Sequence, residues 1–365
     1  MQQHPNVVIV GAGPAGLTAA NILSQHGWPI TVIEADATPT SRDQGGSLDL
    51  HPDDGQLALA KAGLLQEFLS LARHEDQESR DVDAVSGKVM QVEIPEPGTG
   101  NRPEIDRVVL RQLLLQRLDT GAILWDSPVQ GISDRPDGRY DIHFSHCTRG
   151  PFDIVIGADG AWSRVRTALS DVRPSYTGVT FMELWLHDVD RRHPALADLV
   201  GHGTLFSLHG EAGIFAQRNG EATIRVYAVF KTTTEETERT DQTLAGISTA
   251  DIVKRFDGWA PSLLTLITDA DRIVAPRPIN ALPADFRWPH RRGLTLIGDA
   301  AHVMPPLGEG VNTAMLDAAK LAEALVSTPH WDEAISACEE SMRQRVAPIA
   351  ARCIDEFAQW FSISG

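Results

Sequence analysis

Glycines that open helices directly after apolar strands, with a carboxylate a fixed distance further on, are the pattern in this chain best suited to cofactor chemistry. Gly11-Ala-Gly-Pro-Ala-Gly16 follows the β-branched run Asn6-Val-Val-Ile-Val10 without a break. In a strand, turn and helix of this order, Gly11 permits the tight turn and Gly13 lets the backbone approach a pyrophosphate. Gly16 lets the helix sit close to the sheet, and the phosphates meet the partial charge of ~+0.5 at the helix N-terminus. Pro14 and Ala15 occupy the first helical positions, where proline loses no intrahelical bond. Eighteen residues after Gly16, Glu34 ends a second apolar run, Ile30-Thr-Val-Ile33. A carboxylate there accepts hydrogen bonds from an adenosine ribose; a solvated strand end is the other reading of Glu34 alone. FAD and NAD both contain ADP, so this first motif fits either.

Two later segments favour a flavin. Phe152-Asp-Ile-Val-Ile-Gly-Ala-Asp-Gly-Ala-Trp-Ser-Arg-Val-Arg166 reads as a buried strand ending in Asp159-Gly160, with Arg164 and Arg166 beyond it. Gly293-Leu-Thr-Leu-Ile-Gly-Asp-Ala-Ala-His302 reads as another, ending in Gly298-Asp299. Pro305-Pro-Leu-Gly-Glu-Gly-Val-Asn312 follows, then a helix from about Asn312 to Leu325. That glycine-opened helix presents N–H groups and a positive dipole end to negative charge on the N1 and O2 region of a reduced flavin. No second GxGxxG follows a strand, so a separate module for NAD(P)H is disfavoured and the nicotinamide cofactor is expected to dock transiently. Asp159 reads equally as a turn organiser, Arg164 as a partner of a surface carboxylate, and His302 as a hydrogen-bonded structural group.

The elements that position these residues belong to a chain of 365 residues, enough for two or three units at ~150 residues each. A composition 42% hydrophobic and 22% charged excludes wholesale disorder and fibrous repeats. The net charge of −17 disfavours a nucleic-acid partner. Cys147, Cys338 and Cys353 have no CxxC spacing, so neither a disulfide framework nor a cysteine metal site is expected. No signal-peptide pattern precedes Val7, and the uncharged stretch from Val7 to Leu23 is short and broken for a membrane span, so a cytoplasmic location without an integral membrane segment is expected. Arg218-Asn-Gly220 signals a hairpin between strands 214–217 and 223–231. Ile335, Cys338, Met342, Val346, Ile349, Cys353, Phe357 and Trp360 form a helical stripe suited to core packing, which Pro348 should kink or break.

The combination GAGPAG, GADG, GDAAH and PPLGEGVN resembles the single-component FAD-dependent aromatic hydroxylases of the para-hydroxybenzoate hydroxylase fold. Gly45-Gly-Ser-Leu-Asp-Leu-His51, Lys61-Ala-Gly-Leu-Leu65 and Pro103-Glu-Ile-Asp-Arg-Val-Val-Leu-Arg111 are most similar to the branch containing the tetracycline-inactivating monooxygenases. The resemblance implies an α/β fold. A Rossmann-like FAD-binding domain would comprise residues 1–73, 102–174 and 276–330, an inserted β-rich substrate domain 74–101 and 175–275, and a C-terminal helix 331–365. It implies noncovalent FAD, with Glu34 at the ribose, Arg107 on the cofactor, Asp49 near the flavin and Gly298-Asp299 at the ribityl and pyrophosphate region. Pro306, Gly308, Gly310, Val311 and Asn312 would line the isoalloxazine, and the Asp159-Gly160 motif is linked in the family to both FAD and NAD(P)H. Ala35 stands where many relatives carry arginine after the ribose acid, which opens the way to another adenine contact.

The activity so implied uses NADPH or NADH and O2 to insert one oxygen atom into an aromatic or polyketide-like small molecule through a flavin C4a-hydroperoxide. No protein nucleophile is required, and the oligomeric state is left open. An FAD-dependent dehydrogenase or reductase without oxygen insertion, and a catalytically silent FAD-binding protein, are the alternatives. Alternation places Phe181, Glu183 and Trp185 on one face of the strand from Val179 to His187, Phe215 with Gln217, and Arg225 with Tyr227. Those faces either line the substrate cavity or form an ordinary sheet surface. Relative to the tetracycline-inactivating enzymes, Glu183 and Arg225 stand where a glutamine and a histidine contact substrate, which counts against tetracycline itself.

Overall fold

The computed structural model describes residues 4–41, 45–95, 101–232 and 247–361. Val7–Val10, with all four residues buried, is the middle strand of a five-stranded parallel sheet. Ile154–Gly157 and Ile30–Ile33 flank it, and Leu294–Leu296 and Ile123–Leu124 form the edges. Val7 and Ile9 face a core built with the helices Pro14–Gln25 and Gly310–Ser327, where Leu17, Leu23 and Met315 are buried. Val8 and Val10 face the opposite way, onto Ile142, Phe152, Met342 and Val346. Burial on both faces is why the run is continuously apolar rather than alternating. Val10 pairs with Ile33 and Gly157, and Gly157 with Leu296, so the three signal-bearing strands end side by side. Gly11, Glu34, Asp159 and Gly298 therefore leave the sheet at its carboxyl edge, where open α/β sheets bind ligands.

A seven-stranded sheet contains, in spatial order, Arg272–Ala281, Ser175–Leu186, Thr223–Lys231, Ala212–Asn219, Gly203–His209, Glu78–Val82 and Val89–Glu93. One face buries Met182, Leu184, Ile214 and Val226 against Phe256, Leu263 and Leu266. The other face brings Phe181, Phe215 and Val229 onto Phe357 and Phe361 at the end of the last helix. Among the described residues, no helix is long and apolar enough to cross a membrane.

Several local expectations need correction. The helix after the PPLGEG loop spans Gly310–Ser327, starting before Asn312. The C-terminal stripe forms one helix, Trp331–Trp360, that Pro348 does not break. Pro348 is exposed, so solvent can reach the carbonyl its ring leaves unpaired, while Ile335, Met342, Val346, Cys353 and Phe357 hold the opposite side in the core. The hairpin turn does not fall on Asn-Gly: Asn219 pairs with Thr223 inside the ladder, and the positive φ values belong to Glu221 (57°) and Ala222 (51°). Asp106 explains the displacement, since it accepts from Asn219 Nδ2 at 3.1 Å and from the Gly220 N–H at 3.2 Å and so fixes both residues.

Candidate functional site

The glycine turn is shaped by close approach. Gly11 has φ +108°, and a Cβ there would lie 2.2 Å from the Ala158 carbonyl oxygen. A Cβ on Gly16 would lie 2.0 Å from the Gly11 oxygen. At Gly13, by contrast, a Cβ would meet no protein atom within 4 Å. Space therefore stands open before the start of the Pro14–Gln25 helix, which has no side-chain cap among the described residues. An uncapped helix start facing open space suits a diphosphate.

Glu34 is oriented by backbone: Oε2 accepts from the Ala12 N–H at 2.8 Å and Oε1 from the Asp36 N–H at 2.9 Å. Arg111, on the helix Arg107–Leu115, completes this corner. Its Nη2 lies 3.3 Å from Glu34 Oε2, its Nη1 donates to Asp36 Oδ2 at 3.0 Å, and its Nε donates to the Ala12 carbonyl at 3.1 Å. The guanidinium carbon also lies 5.4 Å from the Trp125 ring centroid. The cation that Ala35 does not supply thus arrives from another helix, and the sequence reading assigned Arg111 no role. Nothing local marks it, because its partners lie more than seventy positions away.

At the other end, Gly298 has φ +59°, and a Cβ there would lie 2.9 Å from Ala314 Cβ. Asp299 follows on an accessible surface; the surrounding protein raises its pKa, opposed by the positive charges of His302 and Arg107. Arg107 itself lies against the Gly45 backbone, 2.9 Å from where a Cβ on Gly45 would sit. His302 Nε2 is 2.5 Å from Asp317 Oδ2, and Asp317 is also ion-paired with Arg345 of the last helix. Burial pulls the His302 pKa down, but Asp317, Asp299 and a backbone hydrogen bond together more than offset it and the net shift is upward.

Asn312 is fully buried and fully bonded. Its Oδ1 accepts from the N–H groups of His51 at 2.8 Å and Gly55 at 3.3 Å; its Nδ2 donates to the carbonyls of Asp49 at 2.9 Å and Gly308 at 3.3 Å. Its side chain braces the segment carrying Asp49, whose Oδ2 lies 3.0 Å from His51 Nε2. Beside it, Pro306 and Gly308 are exposed, and a Cβ on Gly310 would meet nothing within 4 Å. With no side-chain cap among the described residues, the helix start at Gly310 and Val311 is open.

Asp159 organises its own turn, accepting from Ser163 Oγ at 2.5 Å and from the N–H groups of Arg164 at 2.7 Å and Val165 at 3.2 Å. Burial raises its pKa against those bonds. Arg166 is buried and ties this turn to the Gly298 turn by donating to the Ala300 carbonyl at 2.9 Å.

On the larger sheet, Phe181 lies 5.9 Å from both Phe215 and Tyr227, centroid to centroid, forming one aromatic cluster that Phe357 and Trp360 of the last helix cover in part. Gln217 Oε1 accepts from the Ser47 N–H at 3.2 Å. Glu183 and Arg225 are both fully buried and ion-paired with each other, and the Arg225 guanidinium carbon lies 3.8 Å from the Trp185 ring centroid. Glu183 is also ion-paired with Arg277, which the sequence reading did not single out. Leu307 of the PPLGEG loop packs against the core beneath the parallel sheet and against the aromatic surface alike.

A family model described as FAD binding domain matches residues 4–146 and 152–356. The chain belongs to this family of FAD-dependent monooxygenases. This monooxygenase is 30% identical over 378 residues to monooxygenase asqM of Emericella nidulans, a match covering 89% of this chain and 84% of that one. Klebsiella pneumoniae HpxO, solved with FAD and uric acid, superposes with a TM-score of 0.82 at 21% identity, covering 99% of this chain and 90% of that one. Tetracycline destructase Tet(55) gives a TM-score of 0.75 at 20% identity, covering 97% and 89%. These two likenesses show the fold. The residues of the monooxygenase fit the cofactor: two glycines admit close backbone approach, Gly13 and Gly310 leave open space at uncapped helix starts, and Glu34 is fixed at the end of its strand by the Ala12 and Asp36 N–H groups and by Arg111.

Proposed function

We propose that this monooxygenase oxidises NADPH or NADH and uses O2 to insert one oxygen atom into an aromatic or polyketide-like small molecule lying on the Phe181, Phe215 and Tyr227 surface. The observation that supports the reading is Leu307, which joins the loop opening the Gly310 helix to that aromatic cluster; with FAD bound at this loop, the cluster would stand beside the cofactor's reactive end. FAD would be held by the Gly11–Gly16 turn, Glu34, Asp299 and the helix start at Gly310, and it supplies the acceptance of hydride and the activation of oxygen. The chain's own residues position and shield. Aromatic side chains exclude water from one side and orient a planar ring by stacking. Asn312 and Gln217 hold the Ser47 to Gly55 segment, which would lie between the cofactor and the substrate. HpxO, solved with uric acid, supports a planar heteroaromatic occupant.

The test is flavin reduction followed anaerobically in a stopped-flow cell with NADPH and NADH, then O2 uptake with and without candidate aromatics. Reduction by at least one nicotinamide, and O2 uptake accelerated by a bound aromatic, are expected. A flavin that neither nucleotide reduces would refute the reading.

A further inference from the structure

We propose that Asp49, His51 and Asp54 form the path by which a proton passes from solvent to the cofactor site, with Asp49 at the cofactor end. The proposal rests on the oxygen-inserting reading above and adds the residues that supply its proton.

The stoichiometry requires such a path. For a substrate RH the reaction is RH + O2 + NAD(P)H + H+ → ROH + H2O + NAD(P)+. Two electrons arrive with the hydride and two with the broken C–H bond; one oxygen atom ends in the new hydroxyl and the other in water. One proton per turnover must therefore enter from solvent, into a site whose chemistry needs water kept out.

Three side chains connect the two ends. Asp49 ends the strand Ser47–Asp49, and its Oδ1 is 4.0 Å from where a Cβ on Gly308 would stand, in the loop that opens the Gly310 helix. Its Oδ2 lies 3.0 Å from His51 Nε2, and His51 Nδ1 lies 3.8 Å from Asp54 Oδ2, an ion-pair separation that draws positive charge to this nitrogen. The wide turn Pro52–Gln56, in which the Gln56 N–H reaches the His51 carbonyl at 3.0 Å, brings Asp54 back beside the ring. The ends are open and the middle is closed: the side chains of Asp49 and Asp54 are 32% and 31% exposed, that of His51 12%. Bracing the loop does not require these side chains, since Asn312 already holds the His51 N–H and the Asp49 carbonyl.

Imidazole can pass a proton because its two nitrogens exchange roles. His51 Nε2–H protonates Asp49 while Nδ1 takes a proton on the Asp54 side; Asp49 hands its proton on, and a half-turn of the ring restores the first tautomer. Glu104 stands opposite Asp49 in the strand pair and shares its face. Burial pushes the Glu104 pKa up to about 8, with Asp49 and Asp76 adding and Ser47 and Arg73 opposing, so at neutral pH it adds no second charge beside Asp49. Glu309, next to Gly308, is ion-paired with Arg352.

The test uses the FAD-loaded full chain, reduced by light and EDTA without oxygen or nicotinamide, then mixed in a stopped-flow cell with O2 in weak buffer containing phenol red. With no substrate present, anionic reduced flavin, O2 and one proton give oxidised flavin and hydrogen peroxide, so the dye reads proton uptake while flavin absorbance reads reoxidation. His51→Gln, which keeps an amide N–H for Asp49 but cannot pass a proton, and Asp49→Asn should each slow proton uptake at least about tenfold with wild-type FAD content. Asp54→Asn should slow it less, and the exposed control Asp53→Asn should leave it unchanged. In His51→Ala, added imidazole should restore the rate in proportion to its protonated fraction, a dependence that refilling a packing gap does not produce. A wild-type uptake rate in His51→Gln, rescue independent of imidazole protonation, or equal slowing by Asp53→Asn would each overturn the proposal. If nicotinamides reduce the flavin while the variants leave proton uptake unchanged, the path alone fails; if FAD does not load, or light reduces it and no nicotinamide does, the proposed function fails and takes the need for this proton with it.

Discussion

Arg111 lies beneath Glu34, its Nη2 3.3 Å from the carboxylate while its Nε holds the Ala12 carbonyl at 3.1 Å, so one buried guanidinium fixes both the acid and the glycine turn. Arg111→Gln should therefore weaken FAD by ~1.5–3 kcal/mol, roughly ten- to a hundredfold, because Glu34 and Asp36 would lose their shared cation. Titration of the apoprotein with FAD, followed by fluorescence quenching, measures this. Wild-type affinity would show that the corner is set by backbone alone.

Gly13 and Gly16 should separate ligand exclusion from folding damage. Gly13→Val adds side-chain atoms where no protein atom lies within 4 Å of the new Cβ, so the apoprotein should melt near the wild-type temperature yet retain no FAD. Gly16→Val forces its Cβ to 2.0 Å from the Gly11 oxygen and should destabilise the apoprotein itself. Paired melting curves and bound-flavin content decide between these outcomes, and equal melting of both variants would contradict the packing account.

Asn312→Leu should cost ~2–4 kcal/mol of stability, since buried N–H groups of His51 and Gly55 would lose their acceptor in a space Leu cannot satisfy. Asn312→Asp restores the acceptor but not the donor to Asp49 and Gly308, and should fall between. Denaturant unfolding of the three proteins gives the order directly; an unchanged midpoint for Asn312→Leu would remove the brace.

Glu104 introduces a pH dependence. It is buried on the strand that pairs with Ser47–Asp49, and burial pushes its pKa up to about 8, with Ser47 and Arg73 opposing and Asp49 and Asp76 adding to the rise. The folded pKa is above the ordinary 4.5, so the folded state keeps a proton that the unfolded state releases. Its contribution therefore falls as pH rises from about 4.5 to about 8, by up to ~1.4 kcal/mol per unit, and is level above that. Melting temperatures of wild type and Glu104→Gln across this window should converge at the acid end and diverge toward pH 8, with the variant the more stable. Parallel curves would contradict a protonated Glu104.

How much of this could be read from the sequence follows from the range of each interaction. Gly11, Gly16 and Glu34 act on neighbours one strand or one turn away, so residue type and spacing were enough. Arg111, the brace made by Asn312 and the Glu183, Arg225 and Arg277 cluster depend on which distant strands and helices meet. Alternation put Glu183 and Arg225 on matching faces, but their mutual pairing needed the register of Ser175–Leu186 with Thr223–Lys231. Arg277 needed a further irregular register at the sheet edge, beyond any local pattern. The Asn-Gly signal marked the hairpin between strands 214–217 and 223–231, which the structure forms, but misplaced its turn, because Asp106, over one hundred positions away, holds both residues.

The most direct test of the central claim is isotope transfer. The FAD-loaded protein, NADPH or NADH, and each aromatic that perturbs the flavin spectrum are incubated under oxygen-18 gas, and products are weighed by mass spectrometry. A product heavier than the same product made in ordinary oxygen by a single labelled atom, formed in proportion to nicotinamide consumed, is the predicted result. Nicotinamide oxidation with every such ligand yielding only unlabelled products, or none, would contradict oxygen insertion and leave a flavin reductase in its place.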